Sequence, residues 1–208
     1  MTPPDANVHN VILITACSGL FYVHYADLLD SIDAVGLTGQ FDVGLIDLGM
    51  SEPQLAALRK RGVRIVPPHW PIEPPVSQQA KHLLAFAAKP FAKEFFPGYE
   101  TYVWMDADMW AQTADFWPAL VDGARASGCA VPIEADPAYR PMAWRHQLWM
   151  IRHFLNSYGP FRTLQLYRQP MINNGVFALQ ADAAHWQVWQ KHFERMVSRT
   201  ERTLAIDQ

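Results

Sequence analysis

Two aspartates one residue apart, Asp106 and Asp108, follow an apolar run, Thr101 to Met105 (TYVWM), in a chain of 208 residues. In an extended strand, residues i and i+2 point to the same side, so both carboxylates are expected to face one ion. Two carboxylates that close repel, and each raises the other's pKa unless a cation lies between them. A hard divalent ion, Mn2+ or Mg2+, relieves that repulsion and keeps coordination positions open for phosphate oxygens. A chain of this size holds about one Asp-x-Asp by chance, so position decides what the pair means. Open α/β sheets bind ligands beyond the carboxyl ends of their strands, and the pair is expected there.

The elements that must place it are legible in the hydrophobic pattern. Val8 to Ala16 (VHNVILITA) is a nearly continuous apolar, β-branched run, the mark of a strand covered on both faces. Leu20 to Val35 carries Leu28, Leu29 and Ile32 at helical spacing and is closed by Gly36. Phe41 to Leu48 and Val63 to Val66 read as strands two and three, with a helix capped by Ser51 between them. This β-α-β-α-β order predicts an α/β chain, Rossmann-like, with a mixed but mostly parallel sheet flanked by helices. Pro67 to Pro75 holds five prolines and predicts an extended loop. Helices are expected over Ser77 to Phe96 (kinked near Pro90), Phe116 to Ala126, the Trp-rich Met142 to Tyr158, and from an Asp182 cap through Ser198. Strands are expected over Cys129 to Ile133 and, after Asn173-Asn174-Gly175, over Val176 to Leu179. No repeat or low-complexity tract divides residues 1–208, which read as one domain.

Composition removes several function classes. Half of the residues are hydrophobic, 18% are charged, and the net charge is −3 with scattered Lys and Arg. That gives no basic footprint for nucleic acid. The two cysteines, Cys17 and Cys129, form no disulfide framework or zinc spacing and read as small buried residues, which predicts a reducing, cytoplasmic location. Met1 to Asn10 is polar and has no charged region leading into an apolar run, so no signal peptide is expected. The longest apolar stretch, Val11 to Ile14, is too short to span a bilayer, and any membrane contact is expected to be peripheral.

With the carboxylate pair placed, the sequence resembles the GT-A glycosyltransferases, most closely the retaining family eight. The resemblance runs in order along nearly the whole chain. ILITA stands as strand one, followed by a helix entering at Phe21-Tyr22. VWMDADMW is similar to the family's YLDADVVV, Ile172 to Phe177 (INNGVF) to its F-N-[AS]-G-V, and Asp207-Gln208 to its D-Q pair.

The resemblance implies a nucleotide-sugar donor, a UDP-sugar in this family, and a glycan or lipid-linked acceptor. It implies that Thr15, Ala16 and Cys17 hold the base and ribose through backbone groups, with Phe21 or Tyr22 stacking on the base. Lys89, 17 residues before Asp106, occupies the place of a basic residue that reaches the sugar nucleotide. Asp106 and Asp108 would hold Mn2+ or Mg2+ against the diphosphate. Asn173 would contact donor sugar or acceptor, with Asn174 beside it in the donor site. Asp207 and Gln208 would line the donor sugar, Gln208 near the anomeric carbon.

The sequence departs from the family at two places. Cys17, Ser18, Gly19 and Leu20 stand where the family carries acidic or amide residues that read uracil. The family's third metal ligand, a His, comes from a segment beyond the D-Q pair that this sequence does not include, so either a truncated chain or a metal shell completed by waters is expected. Two other readings compete. A sugar nucleotidyltransferase would carry a Gly-rich basic loop after strand one, whereas Ala16 to Leu20 has one Gly and no basic residue. A nucleotide- or carbohydrate-binding protein without turnover would use the same fold.

Overall fold

The computed structural model describes residues 10–73, 83–133, 148, 151–152, 154–156, 158–166, 169 and 172–199. Strand β1 (Val11–Cys17) leads through a 3-10 turn (Gly19–Phe21) into helix α1 (Tyr22–Ala34). Then come β2 (Asp42–Asp47), α2 (Glu52–Lys60) and β3 (Arg64–Val66). Helix α3 (Leu84–Ala88), a 3-10 turn (Lys89–Phe91) and α4 (Ala92–Phe95) precede β4 (Thr101–Met105). The remaining elements are α5 (Phe116–Ser127), β5 (Cys129–Ala130), α6 (Pro160–Leu166), β6 (Val176–Gln180) and α7 (His185–Arg199).

The described strands form one six-stranded sheet in the order β3-β2-β1-β4-β6-β5. β3, β2, β1 and β4 run parallel, whereas β6 is antiparallel to both β4 and β5. The mixed, mostly parallel sheet expected from the sequence is therefore present. β1 turns one way to β2 while β4 lies on its other side, which makes the β1–β4 seam a switch point with a crevice at its carboxyl ends.

Alternation along the strands feeds two cores, one on each face. Leu13, Leu45, Val103 and Ala178 pack with α1 and α5, where Trp117 stacks on Phe41 at 3.7 Å between ring centroids. Ile14, Ile46, Trp104 and Phe177 pack with α3, α4 and α7 around the fully buried Trp186. Gly44 is required in β2: a Cβ there would lie 2.7 Å from the Phe96 ring.

Several boundaries differ from expectation. The predicted 77–96 helix is, in its described part, three short pieces, because Pro90 lacks an N–H and sits in the 3-10 turn. The predicted strand Cys129 to Ile133 is two residues long, followed by an isolated bridge between Ile133 and Ile172. Cys129 is half-buried, not buried. The last helix begins three residues after Asp182, since Ala183 N and Trp186 N close turns onto Gln180 O and Ala183 O. Helix α6 was not expected. Most of the predicted 142–158 helix lies outside the described residues.

Candidate functional site

β4 is buried along its whole length and ends at Met105. The chain then turns, with Met109 N donating to Asp106 O at 3.1 Å. Asp106 and Asp108 thus belong to a turn past the strand, and the expectation that strand alternation aligns them is corrected. Ala107 between them is buried, Asp108 is exposed, and 32% of the Asp106 side chain remains accessible.

Asp106 is held from three directions. Its N–H donates to Gly175 O at 2.8 Å, extending the β4–β6 pairing by one step. Lys89 Nζ donates to Asp106 Oδ2 at 3.1 Å, and Trp104 Nε1 donates to Oδ1 at 2.7 Å. Lys89 is 1% exposed and rises from the 3-10 turn beneath the sheet edge. Its ammonium also approaches Asn174 O at 3.3 Å and Asn174 Oδ1 at 3.5 Å. It lies 5.7 Å from the Phe86 ring centroid and 5.8 Å from that of Trp104, where the ring quadrupole favours a cation. A lysine buried this fully needs such partners.

The Asn173-Asn174-Gly175 turn closes the other side. Asn173 Oδ1 accepts from Gly175 N at 2.8 Å, and Asn173 N donates to Pro132 O at 3.0 Å. A Cβ on Gly175 would meet Asn173 Oδ1 at 2.9 Å and Asp106 Oδ2 at 3.0 Å, so only glycine lets the turn approach the carboxylate this closely.

Lys89, Asp106, Asn173 and Asn174 are therefore brought together by structure. Thr15 joins them indirectly, its buried hydroxyl donating to Met105 O across the β1–β4 seam. Thr15, Ala16 and Cys17 pair in register with Leu45, Ile46 and Asp47 of β2, and Cys17 O accepts from Leu48 N at 3.0 Å. Burial, then the nearby Asp47 carboxylate, pushes the Cys17 thiol up to about 12. At the β1–α1 connection Phe21 is half-exposed and its ring faces His24 at 5.8 Å, whereas Tyr22 packs against the core. Asp207 and Gln208 lie outside the described residues.

Sequence reasoning missed Trp104 and Gly175 as parts of the site. Trp104 reads as core because its ring stacks parallel to Phe177 at 6.2 Å, and only its indole N–H reaches the carboxylate.

The donor set suits a hard divalent cation, with one exposed carboxylate beside one whose lone pairs are only partly engaged. Among the described residues no cluster of three or more His, Cys, Asp and Glu side chains could hold a metal. Two carboxylates alone could supply only part of the oxygen shell such an ion takes.

No family model matches the sequence, and no curated protein matches it. Solved structures do match. The galactosyltransferase LgtC, in complex with donor and acceptor sugar analogs, superposes with a TM-score of 0.61 at 12% identity. The fold is shared with GT-A glycosyltransferases. That match covers 94% of this chain and 68% of LgtC. The bifunctional glycosyltransferase WbbM matches at TM-score 0.56 and 11% identity, over 93% of this chain and 36% of WbbM. Core-mannan synthase A from Aspergillus fumigatus, in its Mn/GDP form, matches at 0.53 and 10%, over 98% of this chain and 70% of that one. This chain thus spans about a third of WbbM and about two thirds of the other two. Open α/β sheets bind ligands beyond the carboxyl ends of their strands, and Asp106 follows the carboxyl end of β4. No described helix is long and apolar enough to cross a membrane.

Proposed function

We propose that the chain is a metal-dependent glycosyltransferase of the family-eight type, moving a sugar from a UDP-sugar to a glycan or lipid-linked acceptor with retention. The observation that carries this reading is the Lys89–Asp106–Asn174 cluster at the β1–β4 switch point. Breaking a sugar–diphosphate bond leaves negative charge on the departing diphosphate, and pre-placed positive groups stabilise it as it forms. Lys89 supplies a buried ammonium that needs no reorganisation, and it orients Asp106 together with Trp104. Asp106 and Asp108 would hold Mn2+ or Mg2+, which when bound neutralises charge on the diphosphate oxygens. Core-mannan synthase A, with its Mn/GDP form, is a precedent for that pairing on this fold.

Thr15, Ala16 and Cys17, at the carboxyl end of β1, would hold base and ribose through backbone groups, and Phe21 offers a half-exposed ring for stacking. Asn173 and Asn174 would contact the donor sugar or the acceptor, and the family resemblance gives Asp207 and Gln208 the donor-sugar subsite. The reaction is assigned to the cytoplasm. The test is release of UDP from a panel of UDP-sugars with Mn2+, with and without candidate acceptors. Donor-specific release that disappears in Asp108→Asn is expected. No release from any sugar nucleotide would overturn the assignment as an enzyme.

A further inference from the structure

Residues 137–181 contain five arginines and no aspartate or glutamate, whereas the rest of the chain holds all 20 acidic residues and 12 of the 17 basic ones. At the chain's own frequency a run of that length would carry about four carboxylates. Basic residues are scattered along the sequence, and what is localised is the absence of acids.

The described part of this segment is apolar at its surface as well. Phe161 of α6 is 79% exposed, and Leu164, three residues on and hence on the same helix side, is exposed too. Thr163 faces inward and its hydroxyl donates to Gly159 O at 2.8 Å, whereas the large apolar residues of α6, Phe161, Leu164 and Leu166, are exposed. Arg152 and Arg162 are exposed among them. Upstream, Leu155 is exposed; downstream, Ile172 is exposed and bridges the equally exposed Ile133. The described residues between 133 and 172 hold seven of the twelve exposed large hydrophobic side chains. The segment is seated on the domain, with the Tyr158 ring 6.0 Å from that of His192 on α7. It runs into Asn173 at the candidate site.

We propose that the apolar, arginine-bearing surface of α6, within this segment that has no acidic residue of its own, docks the protein onto an anionic bilayer surface. Exposed Phe and Leu partition into the boundary between headgroups and acyl chains, and arginines beside them are attracted to anionic lipids. Excluding Asp and Glu removes the repulsion that would otherwise oppose both. An acidic protein partner would use the charge but would not require so many aliphatic side chains around it. The docking face does not depend on the glycosyl-transfer reading, and its failure would leave that reading intact.

The test is co-sedimentation of the full chain with phosphatidylcholine vesicles, with and without roughly 30% phosphatidylglycerol. Binding to the anionic vesicles alone is expected, weakening strongly between about 0.05 and 0.5 M salt as charges are screened. Each arginine near such a surface is worth roughly a five-fold change in partitioning, so Arg152→Ala with Arg162→Ala is expected to weaken binding about 30-fold. Phe161→Ser with Leu164→Ser is expected to weaken it as well. Lys60→Ala with Lys191→Ala, at exposed lysines outside the segment, is expected to leave it unchanged. Unchanged melting temperatures establish that the variants are folded. Equal sedimentation with neutral vesicles, or an equal loss on substituting the two lysines, would overturn the proposal. So would binding that survives all four substitutions on the face.

Discussion

Replacing Lys89 by Met keeps the length and packing of the stem and deletes the charge. Asp106 then loses the donor on Oδ2, now 3.1 Å away, and Asn174 O loses a partner at 3.3 Å. Removing one partner of a fully buried pair costs about 3–5 kcal/mol. Here Lys89 is buried but 32% of the Asp106 side chain is accessible, so water partly compensates and about 2 kcal/mol is expected. For a chain of this length that corresponds to a fall in Tm of ~4–8 °C. The decisive assay is a double-mutant cycle with Asp106→Asn, followed by urea or thermal melts. Asp106→Asn removes the stranded charge, so the double variant is expected to be more stable than the summed single costs by at least about 1 kcal/mol. Additivity to within about 0.5 kcal/mol, or an unchanged Tm in Lys89→Met, would refute the argument that this pair organises the sheet edge.

Other expectations follow from the same geometry. Trp104→Phe keeps the ring stack on Phe177 but removes the indole N–H from Asp106 Oδ1, and should cost about 1–2 kcal/mol in a thermal melt. Gly175→Ala forces a Cβ to 2.9 Å from Asn173 Oδ1 and 3.0 Å from Asp106 Oδ2, and should destabilise by about 1–3 kcal/mol while weakening UDP binding in a calorimetric titration. The Cys17 thiol is raised from 9.0 to about 12 by burial and by Asp47, so the folded state keeps a proton that the unfolded chain gives up. Stability from this group is therefore intact below about pH 9 and is lost as pH rises toward 12. Urea melts at pH 8 and 10 should show that decline, and Cys17→Ala should reduce it.

The parallel half of the fold is legible because each strand buried on both faces is a compact apolar run and each helix is closed by a turn signal. Thr101–Met105 matches the expected strand residue for residue, since TYVWM is bounded by Gly98 on one side and the aspartates on the other. The acid pair was readable as types at a spacing, and Lys89 only through the family resemblance. Their geometry was not, because the turn after Met105 and the burial of Lys89 depend on β6 arriving from 70 residues away. Trp104 was hidden by its own hydrophobicity, since a ring packed on Phe177 gives no hint that its N–H reaches a carboxylate. Helix α6 escaped because its exposed Phe161 and Leu164 break the rule that apolar residues mark a core-facing stripe.

The claim that Asp106 and Asp108 anchor a nucleotide diphosphate through a divalent cation is tested most directly by titrating UDP into the protein by calorimetry. The titration is run with Mn2+, with EDTA, and on Asp108→Asn with Mn2+. Saturable binding with Mn2+ that falls at least about ten-fold (about 1.4 kcal/mol) in EDTA and in Asp108→Asn is expected. UDP binding of equal affinity in all three conditions would contradict it.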